Sequence, residues 1–319
     1  MATPPIQRFR TYLSMQKEGT WGTGLAATST FQMVPVISVA PTEDFDELPT
    51  NPFVSRASRT QGYQYGFATG TMKFDTYAYP DSIGNILTAV LGKDTATTSG
   101  STTSHAITVL NNALPPSYSF DHFTGVDGNN AARRFAGHYV SSVQLKGAGT
   151  GPMTVSVTSI GQTATTATTT SVTQTVVTPL IPWQAAVTLN SVSNKKLISY
   201  DVTIARAVET IPAMGSQQPS AGNSGALDVT GTLIWAPTDN TEYALYQSGS
   251  QAAFPLSLVW TSGTNVMTLQ MTTINFKKGT VIDGGSEFQK ISSPFIASDN
   301  TTDGGACKVT LVNSIANTY

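Results

Sequence analysis

His105, His122, His138 and Cys307 are the side chains best suited to ligate a metal or to pair a nucleophile with its base. Each histidine stands in its own polar or strand-like context, and none shares a metal-ligand spacing with Cys307, so satisfied core or surface histidines are expected. Gly147, Gly149 and Gly151 in KGAGTGP have the density of a phosphate cradle. They precede a strand-like run and lack the lysine such a cradle needs, which predicts a glycine-rich hairpin instead. Asp299, Thr301 and Asp303 ahead of Gly304 are spaced like the start of a calcium loop, but its twelfth position is Thr310 rather than a bidentate Glu, and a polar turn is expected. No GxSxG elbow or HExxH helix occurs. The acids Glu43, Asp44, Asp46 and Glu47 read as a solvated loop face. The sequence therefore assigns no catalytic, cofactor-binding or metal-binding residue and points away from an enzyme.

The elements that would hold any site are mostly strands. Charged residues make up 11% of the chain, against about 25% in ordinary globular domains, while Thr, Ser, Val, Gly and Ala dominate. β-branched residues between frequent Gly and Pro predict many short strands. A net charge of −2 gives no long-range attraction to phosphates, so a protein that grips nucleic acid is disfavoured, while one that DNA slides past is not. One cysteine forms no intramolecular disulfide and fits a reducing compartment. The N-terminus has no apolar signal region, and no window approaches the ~18 consecutive apolar residues of a membrane span.

One pattern occurs twice. Phe67 to Gly92 opens with a strand whose Ala68, Gly70, Met72 and Phe74 share a face, matched in Leu227 to Gly249 by Val229, Gly231, Leu233 and Trp235. Each strand leads into a short amphipathic helix. The first has Asp81 as expected N-cap, a stripe of Ile83, Ile86, Leu87, Val90 and Leu91, and Gly92 as left-handed C-cap. The second has Asp239 and Glu242 at capping-box spacing, a thinner stripe of Tyr243 and Tyr246, and Gly249 at its end. Matching strand-like runs follow in both copies: Ser117–Phe120 with Phe254–Trp260, Tyr139–Gly147 with Gln270–Gly279, and Val155–Gln162 with Phe288–Phe295. This order predicts a duplication. The expected division is a first domain over 1–162, a Thr-rich linker or edge strand over 163–180, and a second domain over 181–319. Met72, Phe74, Leu87, Leu91, Leu233, Trp235, Tyr243 and Tyr246 are the expected equivalent core.

Two stretches lack any period. Pro41 to Gly66 and Glu209 to Gly225 read as long loops, each just ahead of a repeated strand. Ordering about 25 residues costs at least ~1 kcal/mol each, whereas burying four apolar side chains returns only roughly 6 to 12 kcal/mol. The first loop should therefore order only against another subunit. The N-terminal 17 residues read as an arm, Phe31 to Val39 as a strand, and CKVTLVNSIA as a last strand before a polar tail.

Taken together, KEGTWGT near the start, the Thr-Gly-Thr openings at Thr69 and Thr230, the strand–helix–strand order in each half and the long loop before each opening strand resemble the tail tube (major tail) proteins of long-tailed bacteriophages in their two-domain form. The resemblance spans most of the chain. It implies a mainly β fold of two tandem β-sandwich tail-tube domains, each with a short flanking α-helix, whose sheets join between subunits into an inner barrel. It further implies three chains per ring with pseudo-sixfold symmetry, and stacking of rings into a hollow tube that carries DNA without binding it. Expected partners are other copies of the chain and tape-measure, tail-tip and tail-terminator proteins, in the virion tail, with assembly in the host cytoplasm. The long loops would then clasp successive rings through Phe45, Leu48, Phe53, Val54, Met214 and Gln217. Other readings are a capsid decoration or tail-completion protein, a two-sandwich adhesin or carbohydrate-binding protein, and a β-rich glycan hydrolase, which would need a carboxylate pair in a cleft.

Overall fold

The computed structural model describes residues 11–24, 31–50, 62–125, 132–168, 177–247, 253–277, 281–283 and 288–319. In the first half, β1 (Tyr12–Lys17), β2 (Gln32–Val34), β3 (Val36–Thr50) and β4 (Gly62–Tyr77) precede α1 (Ile83–Leu91). After it come β5 (Gly92–Ser99), β6 (Thr102–Val109), β7 (Tyr118–Phe123), β8 (Ala132–Ala148), β9 (Thr154–Gly161) and β10 (Ala164–Ala167). The second half has β11 (Ala185–Leu189), β12 (Val192–Ser193), β13 (Leu197–Ile211) and β14 (Ala221–Trp235), then α2 (Thr241–Gln247). It closes with β15 (Phe254–Ser262), β16 (Asn265–Phe276), β17 (Val281–Asp283), β18 (Lys290–Ala297) and β19 (Lys308–Asn313).

Every pairing between these strands is antiparallel, and the second half repeats the pairing order of the first. Outer layers run β2-β1-β7-β8-β10 and β12-β11-β15-β16-β19. Inner layers run β3-β4-β9-β8 and β13-β14-β18-β16, with β17 continuing the line of β16 beside β18. A single long strand thus serves both layers in each half. β8 crosses from one to the other near Gly137, whose φ of 64° only glycine adopts without strain. The inner layers then fuse: β8 pairs with β13 from Ser142↔Ala205 to Ala148↔Ser199, giving one sheet in the order β3-β4-β9-β8-β13-β14-β18-β17. Core side chains fill the space between layers, with Trp235, Trp260, Phe74, Phe120, Phe135 and Phe295 fully buried.

The first helix forms where its stripe predicts, and the Gly92 N–H bonds Thr88 O in the left-handed region. Its N-cap is Ser82 rather than Asp81, without a side-chain cap bond. In α2 the Asp239 carboxylate accepts the Thr241 N–H at 2.9 Å, but Glu242 does not complete a capping box. Glu242 is the buried residue of that helix, held by Asn194 Nδ2 at 2.9 Å and Lys196 Nζ at 3.3 Å, while Tyr243 and Tyr246 are half-buried.

Several expectations need correction. Both stretches read as loops are strand arms: β3 pairs with β4 out to Thr50↔Gly62, and β13 with β14 out to Ile211↔Ala221. Residues 51–61 lie outside the described residues. The segment taken for an N-terminal arm contains β1, which pairs with β7 and buries Leu13 and Met15 in the core. The Phe31–Val39 strand breaks at Pro35, which has no N–H to give the ladder. The polar run after α1, Lys93 to His105, lies in the β5–β6 hairpin, which adds to the outer layer of the second half by pairing β6 with β19. Part of the Thr-rich run is β10, paired to β8, and residues 169–176 lie outside the described residues. The C-terminal tail ends on a buried Tyr319, whose hydroxyl accepts from Asn313 Nδ2 at 2.6 Å and whose N–H bonds Asp94.

Candidate assembly interface

The KEGTWGT turn is tied down by one carboxylate. Glu18, nearly buried, accepts the Gly22 and Gly137 N–H groups at 3.0 and 2.9 Å and the Ser117 and Ser119 hydroxyls at 2.7 and 2.6 Å. Four donors compensate its desolvation, as a buried charge requires. The turn then sets Trp21 against two glycines, one on β8 and one on the β13–β14 arm. A Cβ on Gly137 would stand 2.9 Å from the indole, and one on Gly222 of β14 2.8 Å from its Nε1. The motif therefore fixes where the second arm leaves the sheet.

The Thr-Gly-Thr openings have a similar cause. A Cβ on Gly70 would lie 2.2 Å from the Gln162 carbonyl oxygen, and one on Gly231 2.4 Å from that of Asp201 and 2.6 Å from the Phe295 ring. The flanking threonines face the other side of the sheet.

Across the β8–β13 seam, Gln144 Nε2 donates to both Asp201 carboxylate oxygens at 2.9 Å, and Lys146 stands 3.7 Å from the same carboxylate. Arg206 provides the deeper lock. From β13 its Nε donates to Val90 O at 2.7 Å and its Nη2 to Leu91 O at 3.1 Å, on the last turn of α1, while Nη1 reaches Gly225 O at 3.2 Å. The cation thus satisfies the open carbonyls of a helix C-terminus in the other half. Arg206→Ala should cost about 2 kcal/mol, because three carbonyls lose a charged donor, and Arg206→Lys should recover only part of it. Chemical denaturation of the three proteins measures this; equal midpoints would refute the lock. An arginine in the core-facing alternation Tyr200, Val202, Ile204, Arg206 was the signal for it in the sequence.

The arms carry the exposed apolar surface. Phe45, Leu48, Tyr63 and Tyr65 are 41, 51, 49 and 59% exposed on the β3–β4 arm, with Phe45 and Tyr63 each edge-on to Tyr65. Tyr63 shares a hydrogen bond with Glu47, which pushes its pKa up to about 12. Met214 is fully exposed at the turn of the β13–β14 arm. Gln217, expected between rings, is engaged within the chain: its carbonyl accepts the Ala68 N–H at 2.8 Å and its Nε2 donates to Tyr65 O at 3.0 Å. Gln218 likewise accepts the Thr163 N–H at 3.0 Å. The second arm therefore lies across the first half. Phe53 and Val54 lie outside the described residues. Of the expected equivalent core, Met72, Phe74, Leu87, Leu91, Leu233 and Trp235 are buried and Tyr243 and Tyr246 half-buried.

The outward face of the shared sheet is rich in hydroxyls. Thr69, Thr71, Ser156, Thr158, Thr203 and Thr230 stand on it beside Lys73, Asp75, Lys146 and Asp201. Asp75 accepts from Ser156 at 2.7 Å and Ser38 at 2.6 Å, and these bonds lower its pKa. Several of the residues considered for chemistry have structural partners. Buried His105 bonds Asp94 and Ile315 O, each at 2.9 Å. Gly147 of KGAGTGP lies in β8 opposite Tyr200, and Gly149 and Gly151 form the β8–β9 turn. Asp303 accepts from Asn300 in its own turn and from the N–H and hydroxyl of Thr272 on β16. Cys307 is buried, and desolvation pushes its thiol up to about 12. Among the described residues no group of three or more His, Cys, Asp and Glu could hold a metal ion, and no helix is long and apolar enough to cross a membrane.

No curated protein matches the chain. A family model described as phage tail tube protein matches residues 9–309, which takes in both halves, both arms and the shared sheet. That family is structural and belongs to the virion tail. With the match extending over nearly its whole length, the protein belongs to the phage tail tube family.

Proposed function

We propose that the protein polymerises into stacked rings that form the hollow phage tail tube through which DNA is delivered to the host. Each half, 1–162 and 181–319, acts as one tube domain, and 163–180 joins them. The observation that carries this reading is the β8–β13 seam, where two equivalent inner layers already stand side by side as they would around a ring. Its two ends, β3 and β17, have no strand partner on their outer edges among the described residues. Such edges are a liability in a monomer and vanish on closure. Three chains of two domains close a ring with pseudo-sixfold symmetry. With eight strands per chain, a spacing of about 4.8 Å and a tilt of about 40°, the barrel is on the order of 45–50 Å across between backbones.

The hydroxyl-rich face then lines the bore. On it Asp44, Asp75, Asp201 and Asp228 outnumber Lys73, Lys146 and Lys290, so phosphates meet a wall that wets but does not hold them. Leu48 and Met214, at the ends of the arms, are placed to touch the next ring. Tape-measure, tail-tip and tail-terminator proteins complete the set of partners, and assembly takes place in the host cytoplasm. Negative-stain electron microscopy of the concentrated protein, with size-exclusion chromatography, tests the reading. Hollow rings or tubes of uniform bore are expected, with threefold modulation on rotational averaging. Closed particles without a bore would overturn it.

A further inference from the structure

The chain contains a template for its own contact with the next copy. Equivalent positions in the two halves are fixed by the paired glycines: Glu43 and Phe45 face Gly70 and Ala68, just as Val202 and Ile204 face Gly231 and Val229. At the other end of the sheet, Phe74 pairs with Val157 as Trp235 pairs with Ile291. Val157 in turn pairs with Val143 and Ser156 with Gln144 on β8, while Ile291 pairs with Ile282 and Lys290 with Asp283 on β17. So β17 occupies the place of the β8 segment that joins β13, and β3 occupies the place of β13.

Burial marks the unfilled half of this relation. Ile204, covered by β8 at the seam, is fully buried, whereas Phe45 at the equivalent position is 41% exposed. An aromatic side chain in a core-facing register at an unpaired edge signals a missing neighbour. In the seam, Ile204 stands opposite Val143 and Thr203 opposite Gln144. We propose that β3 of one copy pairs antiparallel with β17 of the neighbouring copy in the same ring, with Phe45 opposite Ile282 and Asp44 opposite Asp283. This rests on the tube reading and deepens it. Phe45 then belongs to the seam within a ring, and the clasp between rings is left to the arm ends.

The register has a measurable electrostatic consequence. It sets two acidic residues opposite each other, and like charges directly across a ladder weaken it. Subunits should therefore associate more readily at higher salt. Asp44→Asn should lower the concentration needed for assembly about threefold, by the middle of the range of such pair energies.

Disulfide trapping tests the register. Asp44→Cys combined with Asp283→Cys should, on mild oxidation of assembled protein, give covalent dimers and trimers on a non-reducing gel. Directly opposite residues lie within the Cα separation a disulfide spans, and a two-residue slip takes them out of it. Asp44→Cys with Val281→Cys, the slipped control, should stay unlinked, and buried Cys307 should stay silent. Preferential linking of the slipped pair, or rings and tubes in which neither pair links, would overturn the register while leaving the tube reading intact. Wild-type protein that forms no rings or tubes under the microscope would sink both. An Asp44→Asn protein that assembles less readily than wild type would also count against the register.

Discussion

Gly70→Ala should cost the fold about 3 kcal/mol, at the upper end for one added methyl in a packed interior, with Gly231→Ala close behind. The reason is the identity of what the new carbon meets. At Gly70 it would stand 2.2 Å from the Gln162 carbonyl oxygen and 2.8 Å from its carbon, which are backbone atoms and cannot swing away. Gln162 is itself held, its N–H bonding Ala136 O at 3.1 Å, so relief would mean parting β4 from β9 and loosening the end of β8 together. At Gly231 the carbon meets the Asp201 carbonyl and the buried Phe295 ring. Thr69→Ala, on the outward face one residue away, should stay within about 0.5 kcal/mol. Urea denaturation followed by circular dichroism distinguishes the two classes. A Gly70→Ala protein with the wild-type midpoint would show that the sheet yields there easily, and the structural reason for the Thr-Gly-Thr signature would be lost.

That signature was legible as a repeated motif long before its cause was. Period-two alternation in Ala68–Phe74 and Val229–Trp235 placed the buried strands correctly, because one face of each is apolar and the other rich in threonine. The 3.6-residue stripe ending at Gly92 placed α1 for the same reason. The arms were missed because alternation records a difference between two faces. At Tyr63, Gln64 and Tyr65 both faces of β4 are exposed, so no difference exists to be read. Strand β1 was missed because six residues carry too few alternations to separate them from an arm.

The candidate interface was only partly legible. Exposed Phe45, Leu48 and Met214 could be picked out as apolar residues in polar surroundings, but their partners could not. Gln217 offers a plain case: nothing in SQQPS says that its carbonyl will meet the Ala68 N–H, because that contact depends on how one arm lies across the other half. The seam is a matter of register between strands more than fifty residues apart, and alternation constrains register only to within two residues. Arg206 and Glu18 were overlooked for a shared reason. The importance of each comes from polar groups that only the fold brings to it.

A second large effect should appear in acid. His138 is fully buried, with Phe120 and Phe135 edge-on at 5.7 and 5.8 Å. Its Nε2 faces the Gln162 carbonyl at 3.1 Å and so carries the proton, leaving Nδ1 to accept from Ser159 at 3.0 Å. Both nitrogens are satisfied in the neutral ring, and no carboxylate is bonded to it. Burial accordingly pushes the pKa down to about 4, against a smaller upward pull from the Gln162 carbonyl. The unfolded chain takes up this proton near pH 6.5, while the folded chain does not until about pH 4. Stability from His138 is therefore complete above pH 6.5, falls as the pH drops through that window, and is reduced by about 3 kcal/mol at its lower end. Asp75, whose pKa is lowered, works in the same direction only below the ordinary carboxylate range. His122 shifts the same way, from burial first and Arg133 second, so the raw slope does not isolate one ring. His138→Gln does: an amide can donate to Gln162 O and accept from Ser159 without titrating. Unfolding free energies at pH 7 and pH 4.5 should differ less in His138→Gln than in wild type, by about 2 kcal/mol or more. Parallel pH profiles would mean that water or a carboxylate reaches the ring, and that the interior of the first half is less closed than its packing indicates.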